Sequence, residues 1–492
     1  MVPGTGSIRQ DLSNNTGGSR RNRTCSHRQP HQALPQKGIP QMINLTLKPL
    51  RDGMPAGEAF TTEVLLRITP EAMVEDGRRA NLNLALVIDR SGSMAGRPLH
   101  EAKRCAAMVI DRLTARDRLA IVAYDDQVEV MLPSSPVDDR ERFKRAVSAI
   151  LDGGTTNLHG GWHAGATAVA RAMQLVPNGL SRVLLLSDGQ ANQGETNTAV
   201  IASHCAELAA ADVSTSTYGL GESFNEDLMT QMARAGQGQS HYGRSAEDLI
   251  DPFQQEFDLL QALVARRLRL EVLPERGVKV DVLNLFTPDP ETGALILPDL
   301  AAGGELWAVL RLKVEAGVSL GSAPARLLTA RLRYVDRDDH RHATDPVALH
   351  LGPLSPAAYA ALPAEALVRD RTGELEVAHL ADLAREAARH GDWQRVETLT
   401  AEMLERAAGN EWVAESVRSL RELAQSRNRE GFSKEALYKS TRMRSRMASL
   451  DESTTSYGFA EESAKPSFLR RKREEGRRFD ADDDGPVRPS TP

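Results

Sequence analysis

The chain has 492 residues, with 61 Lys and Arg against 67 Asp and Glu and a formal net charge of -6. That balance excludes a global polycation, and an aromatic content of 4% leaves few rings for base-stacking or sugar-binding platforms. At roughly 100–200 residues per domain the length implies about two to four folding units. Cys25, Cys105 and Cys205 lie far apart without metal-type spacing, so no disulfide scaffold is expected and a reducing, cytoplasmic setting fits. No stretch approaches the run of about 18–20 apolar residues needed to span a bilayer, and the start lacks the apolar segment of a secretory signal.

In chain order, residues 1–40 read as a disordered basic tail, with Arg20, Arg21, Arg23 and Arg28 among polar residues. A misplaced start codon explains them equally well. Within 41–80, Ile43, Leu45, Leu47 and then Val64, Leu66, Ile68 alternate with the period of strands. Residues 81–245 carry the most ordered pattern. Leu82–Asp89 is a buried strand ending in a carboxylate, followed by a turn and a helix opened by Pro98. Strands follow at Arg118–Tyr124 and Val128–Leu132, then a helix at Asp139–Leu151 with Phe143, Ala146, Val147, Ile150 and Leu151 on one side. A helix from His159 to Met173, a strand at Arg182–Leu186, a helix at Thr198–Ala210 and a strand at Val213–Leu220 complete the alternation. Such alternation predicts a doubly wound, mostly parallel α/β sheet, whose ligands sit beyond the carboxyl ends of the strands.

Residues 246–354 begin with a helical pattern and turn to strands at Arg267–Leu273, Val278–Leu283, Glu305–Val314, Ala325–Val335 and Val347–Leu351, which predicts a β-sandwich. The early strands are expected to join it, making the α/β unit an insertion. Residues 355–430 predict a helical region, with Leu380, Leu383, Ala387 and Leu399, Met403, Leu404 at helical spacing. Residues 431–492, rich in Ser and Arg and then in alternating charge blocks, predict a disordered tail.

The chemistry gathers at the ends of two strands. In Asp89-Arg90-Ser91-Gly92-Ser93 a tight loop turns Asp89, Ser91 and Ser93 toward a common point, the oxygen-rich environment a hard cation such as Mg²⁺ requires. Gly153-Gly154-Thr155-Thr156-Asn157 and Leu186-Ser187-Asp188-Gly189 reach the same sheet edge and offer further oxygens. Asp89 and Asp188 carry two negative charges, so a bound dication leaves a neutral site open to an acidic group from outside.

This ordered set resembles the metal-ion-dependent adhesion site of the von Willebrand factor type A domain, over about Asn81 to Arg244. The resemblance implies that Asp89, Ser91, Ser93, Thr156 and Asp188 bind Mg²⁺, with Mn²⁺ or Ca²⁺ as alternatives, directly or through water. It also implies that a protein partner's Glu or Asp completes the shell. Thr156 is preferred to Thr155 because Asn-Leu-His-Gly-Gly follows it as the family's helix start. The strand region resembles bacterial relatives of inter-alpha-trypsin inhibitor heavy chains. The expected function is metal-dependent protein binding, adhesive or scaffolding, without catalysis.

Two rival readings compete: a metal-dependent hydrolase or phosphatase, and a structural subunit whose metal only stabilises loops. A dehalogenase-type phosphotransferase needs a second carboxylate where Ser91 stands, and no Gly-x-Ser-x-Gly or Walker-type loop surrounds the serines. His159 and His163 have the spacing of a zinc pair but lack the accompanying Glu, and read as surface or packing residues. Gly219-Leu220-Gly221 lacks the rest of a dinucleotide loop, and Asp125 and Asp126 read as a solvated turn, with tuning of the metal site's rim as the alternative. Ser445, Ser449 and Ser453–Ser456 follow arginines as phosphorylation candidates, against a plain polar linker. The basic Phe468–Arg473 run is offset by neighbouring acids, so no nucleic acid is expected as a partner.

Overall fold

Continuous apolar runs such as Leu84–Ile88 demand cover on both faces, and the chain provides it. The computed structural model describes residues 43–449 apart from 72–79, 177–178, 189–190, 221–223, 244–245, 320–322, 408 and 446. The sequence expectations for 1–40, for Ser453–Ser456 and for Phe468–Arg473 therefore lie outside the described residues.

Two strands come first, β1 (Ile43–Pro49) and β2 (Phe60–Pro70). The central mixed sheet follows: β3 (Leu82–Asp89), β4 (Arg118–Tyr124), β5 (Val128–Pro136), β6 (Leu180–Ser187), β7 (Val213–Leu220) and β8 (Gln237–Gly243). Its spatial order is β5-β4-β3-β6-β7-β8, parallel throughout except for the edge strand β5. The period of two sends Leu82, Leu84, Leu86 and Ile88 to one face, beneath α1 (Arg97–Arg112), α2 (Arg140–Ser148) and α6 (Ala246–Gln261). Ala85 and Val87 face the other side, beneath α3 (Leu158–Ala172), α4 (Thr198–Ala210) and α5 (Glu226–Ala235).

Beyond the mixed sheet, β9 (Leu263–Pro274), β10 (Val278–Val282), β11 (Gly304–Val314), β12 (Ala325–Asp336) and β13 (Val347–Leu351) form antiparallel pairs. β1, β2, β11 and β10 make one sheet, while β9, β12 and β13 belong to a second. Both contribute to one apolar core, with Val64, Leu66 and Ile68 from the first and Leu268, Leu270, Leu328 and Leu332 from the second. Chain on both sides of the mixed sheet thus builds this pair of sheets, because β2 hydrogen-bonds to β11 from Ile68↔Leu306 to Phe60↔Val314. The helices α7 (Pro356–Ala361), α8 (Ala366–Arg389), α9 (Trp393–Arg406), α10 (Glu411–Gln425) and α11 (Arg429–Ser445) follow, with a core of their own around Leu399, Met403, Val417 and Phe432. Among the described residues no helix is long and apolar enough to cross a membrane.

Several sequence expectations need correction. The helix assigned to the front of 246–354 belongs to the mixed sheet: Leu249, Phe253, Phe257 and Leu260, at helical spacing, are buried with α1 in its core. The tail set at 431–492 starts too early, since α11 runs to Ser445 and buries Phe432, Ala436 and Met443. Its polar residues have partners, Ser440 donating to Asp382 at 2.7 Å and Arg444 pairing with Asp382 at 2.5 Å. Ser445 is consequently in a helical turn, its hydroxyl donating to the Thr441 carbonyl, and not in a linker. Leu151 lies past the end of α2 and is 73% exposed, and Leu383 faces outward as well. The stretch after β7, for which the sequence pattern predicts no element, forms α5 and β8, with Asn225 capping the Leu228 amide.

Candidate metal centre

The sheet order reverses at β3 and β6: the chain leaves β3 into α1 on one face and leaves β6 into α4 on the other. A crevice opens at the carboxyl ends of these two strands, where open α/β sheets take their ligands. Asp89 ends β3 there. Register places Asp89 beside Tyr124 of β4, and the last β3–β6 pair, Ile88↔Leu186, brings Ser187 and Asp188 alongside.

The Asp89 carboxylate is fully buried. It accepts from the Ser91 amide at 2.9 Å, the Tyr124 hydroxyl at 3.2 Å and the Ser187 hydroxyl at 2.6 Å. Burial pushes its pKa up to about 6, against the hydrogen bonds from Ser187 and Ser91, and the charge of Asp188 adds to the rise. Tyr124, buried and beside Asp89, is held well above the usual phenol range and donates as a neutral hydroxyl. Ser91 is buried, Ser93 is exposed, and their hydroxyls lie 3.2 Å apart.

The second loop is fastened to the first. The Gly92 amide donates to the Gly154 carbonyl at 2.9 Å and the Gly153 amide to the Arg90 carbonyl at 2.7 Å. Asp125 underlies both, accepting from the Gly154 amide at 3.2 Å and pairing with Arg90 at 3.3 Å. It is buried, which corrects the expectation of a solvated turn; Asp126 is exposed. A Cβ on Gly153 would meet Asp125 Oδ2 at 1.8 Å, so only glycine permits this approach. Thr156 is buried, its amide donating to Asn192 Oδ1 at 2.7 Å and its carbonyl accepting from the Asn192 and Gln193 amides at 3.1 Å. Thr155 is exposed and bonds Gln193 through its hydroxyl.

The structure therefore joins Asp89, Ser91 and Ser93 by direct contacts, puts Asp188 within electrostatic reach, and ties in Thr156 through its loop. Sequence reasoning misses Tyr124 and Asn192. Tyr124 ends an apolar strand and is indistinguishable there from core; Asn192 acts through contacts with Thr156, distant in sequence, made by both its side-chain oxygen and its backbone amide.

The donor set is all oxygen, two carboxylates and three hydroxyls, which suits a hard cation. The state of Asp89 fits as well. Among the described residues its hydrogen-bond partners are hydroxyls and an amide, while the adjacent Arg90 guanidinium is engaged with Asp125 and Glu129. Elsewhere, the His159 Nε2 lies 2.9 Å from His204 Nδ1 and the His159 ring packs on Trp162. Among the described residues no group of three or more His, Cys, Asp or Glu is arranged to hold a metal. Gly219 faces the Phe224 ring. Cys105 and Cys205 are buried on opposite faces of the mixed sheet and form no disulfide with each other.

Residues 83–255 match the von Willebrand factor type A domain family. The chain carries a von Willebrand factor type A domain. The uncharacterized protein sll0103 of Synechocystis is 29% identical over 267 residues, covering 53% of this chain and 61% of that protein. Human inter-alpha-trypsin inhibitor heavy chain H3 is 26% identical over 163 residues, covering 32% of this chain and 18% of that protein. The chain thus spans less than two thirds of the length of these relatives. Among solved structures, a von Willebrand factor type A protein from Catenulispora acidiphila superposes with a TM-score of 0.63 at 17% identity, covering 78% of this chain and 91% of that one. The ArnB paralog VWA2 from Sulfolobus acidocaldarius gives 0.56 at 17% identity, covering 82% and 98%. The fold likeness thus reaches well beyond the A domain itself.

Proposed function

We propose that this chain is a divalent-cation-dependent protein-binding module, adhesive or scaffolding and not an enzyme, working through its A domain. Asp89, Ser91, Ser93, Thr156 and Asp188 would hold Mg²⁺, with Mn²⁺ or Ca²⁺ as alternatives. A Glu or Asp of the partner protein completes the shell. The antiparallel sheets and the C-terminal helices serve as scaffold or second contact surface.

The observation that carries this reading is the buried Asp89 carboxylate at the switch point of the sheet, ringed by hydroxyl donors and raised in pKa. When bound, the cation supplies a positive centre that attracts a carboxylate oxygen. The protein's own part is orientation. Tyr124 and Ser187 donate to one carboxylate oxygen of Asp89 and the Ser91 amide to the other, fixing its rotation. The exposed Ser93 marks the solvent side, from which a partner approaches. Two acidic ligands against a dication leave about zero net charge, so a third carboxylate meets no repulsion. Against a hydrolase stands the engagement of Asp89 itself: a carboxylate bound by two hydroxyls and an amide is poorly placed to take a proton from water.

The test is capture of partners by the immobilised full chain in Mg²⁺ and in EDTA, with Asp89→Ala alongside and circular dichroism as a check of folding. Capture should require the cation and vanish in the folded variant. Undiminished capture by Asp89→Ala, or by wild type in EDTA, contradicts the proposal. A broad phosphatase and esterase screen in which wild type turns over and Asp89→Ala does not would favour the hydrolase instead.

A further inference from the structure

Asp188 is followed in space by the start of α5: the Asn225 amide donates to the Asp188 carbonyl at 3.1 Å, and Asn225 caps the helix. The next two residues, Glu226 and Asp227, are seized by the C-terminal helices. Arg385 of α8 donates to Glu226 at 3.1 Å and to Asp227 at 2.9 Å through one nitrogen, and its Nε is fixed by the carbonyl and hydroxyl of Ser433 on α11 at 3.0 and 3.1 Å. Arg389, one turn on, binds Asp227 as well. Ser433 donates to Glu226 at 3.2 Å, and Lys434 sits over the ring of Phe224 at 4.9 Å. Burial opposes the Asp227 charge, but the hydrogen bonds and charges of Arg385 and Arg389 outweigh it and hold the carboxyl below its ordinary range. Arg385 is itself buried.

These contacts join parts of the chain that are distant in sequence. They clamp residues 224–227, the segment hydrogen-bonded to the second acid of the cation site, to two helices far away in the chain, with Arg385 standing 159 positions from Glu226. We propose that this arginine latch makes the C-terminal helices a control element of the cation site: docking of α8 and α11 sets the position of Asp188, and so the affinity for the ion and for the partner's carboxylate. Arg385 and Arg389 are positioning residues that act through Glu226, Asp227 and Asn225. The inference rests on the cation-binding reading above.

Two variants separate position from charge. Arg385→Ala/Arg389→Ala removes the cations and leaves the Glu226 and Asp227 carboxylates near the site without them. Glu226→Gln/Asp227→Asn removes those carboxylates and breaks the same latch. If the latch positions Asp188, both weaken Mg²⁺ binding, measured by titration calorimetry on the full chain, on the order of tenfold. Both also speed hydrogen exchange at the Asn225 amide. If it acts only through charge, the first variant binds Mg²⁺ more tightly and the second less, which overturns the proposal, as do unchanged affinities in both. Arg385→Lys should recover part of the loss, and Arg389→Ala alone provides a milder variant should the double change disturb the helices. Absence of Mg²⁺ binding in wild type would instead overturn the cation-site reading, a result distinguishable from failure of the latch.

Discussion

Two buried carboxylates on the mixed sheet have nearly the same surroundings and opposite electrostatics. Glu256 of α6 accepts from the Ser216 hydroxyl at 2.6 Å and the Tyr218 hydroxyl at 2.9 Å, and pairs with the buried Arg182. Asp89 likewise accepts from a serine and a tyrosine, Ser187 and Tyr124. Burial opposes the charge of Glu256, but Arg182, His241 and the Ser216 hydrogen bond outweigh it and hold the carboxyl below its ordinary range. At Asp89 burial prevails and the pKa rises to about 6. The main difference is the Arg182 guanidinium, with His241 beside it. Glu256 has its cation within the chain; among the described residues Asp89 is bonded by hydroxyls and an amide, and in the function proposed above the positive charge comes from outside.

The comparison breaks most visibly if the built-in cation is removed. Arg182→Ala strands Glu256 in the interior and should destabilise the protein by about 3–5 kcal/mol, measured by denaturant unfolding. Adding Glu256→Gln to it should recover much of the loss, since no uncompensated charge then remains. Asp89→Asn should do the opposite at pH 7.5 without divalent cation. The raised pKa means that folding makes the charged form costly, so its removal stabilises by roughly 1–3 kcal/mol. Equal destabilisation in the two variants would erase the distinction.

The pH dependence sharpens it. Without divalent cation the folded chain binds a proton at Asp89 that the unfolded chain releases nearer pH 4, so this group's contribution to stability falls as pH rises through the interval from about 4 to 6. A dication competes with that proton, and the rise in melting temperature on adding Mg²⁺ should be larger at pH 7.5 than at pH 5. The smallest effect belongs to the rim: Ser93→Ala, at an exposed position, should alter stability within about 0.5 kcal/mol while weakening Mg²⁺ binding in a calorimetric titration.

The α/β alternation is legible because strands such as Leu82–Asp89 and Arg118–Tyr124 are largely apolar and helices such as Arg97–Arg112 carry a spaced apolar face. Thr198–Ala210 and Val213–Leu220 agree with the sequence expectation to the residue. The short elements α5 and β8 do not announce themselves, since Gln237–Gly243 is polar and half-buried and gives no apolar alternation. α11 is hidden for a related reason: its buried contacts are largely polar, through Ser433, Lys434, Glu435 and Ser440, and composition alone reads such a segment as solvated. At the candidate site the ligand-type residues can be picked out because Asp and Ser at strand ends stand against apolar surroundings. Their supports, Tyr124, Asn192 and the Arg385 latch, come from distant chain and become visible only once register and packing bring them together.

The most direct test of the central claim is calorimetric titration of the cation-free chain with Mg²⁺ at pH 7.5, for wild type and Asp89→Asn. One ion should bind per wild-type chain and none at the same site in the variant. Equal binding by both, or none by the folded wild type, would contradict the claim that Asp89 is left without a built-in cation in order to receive one.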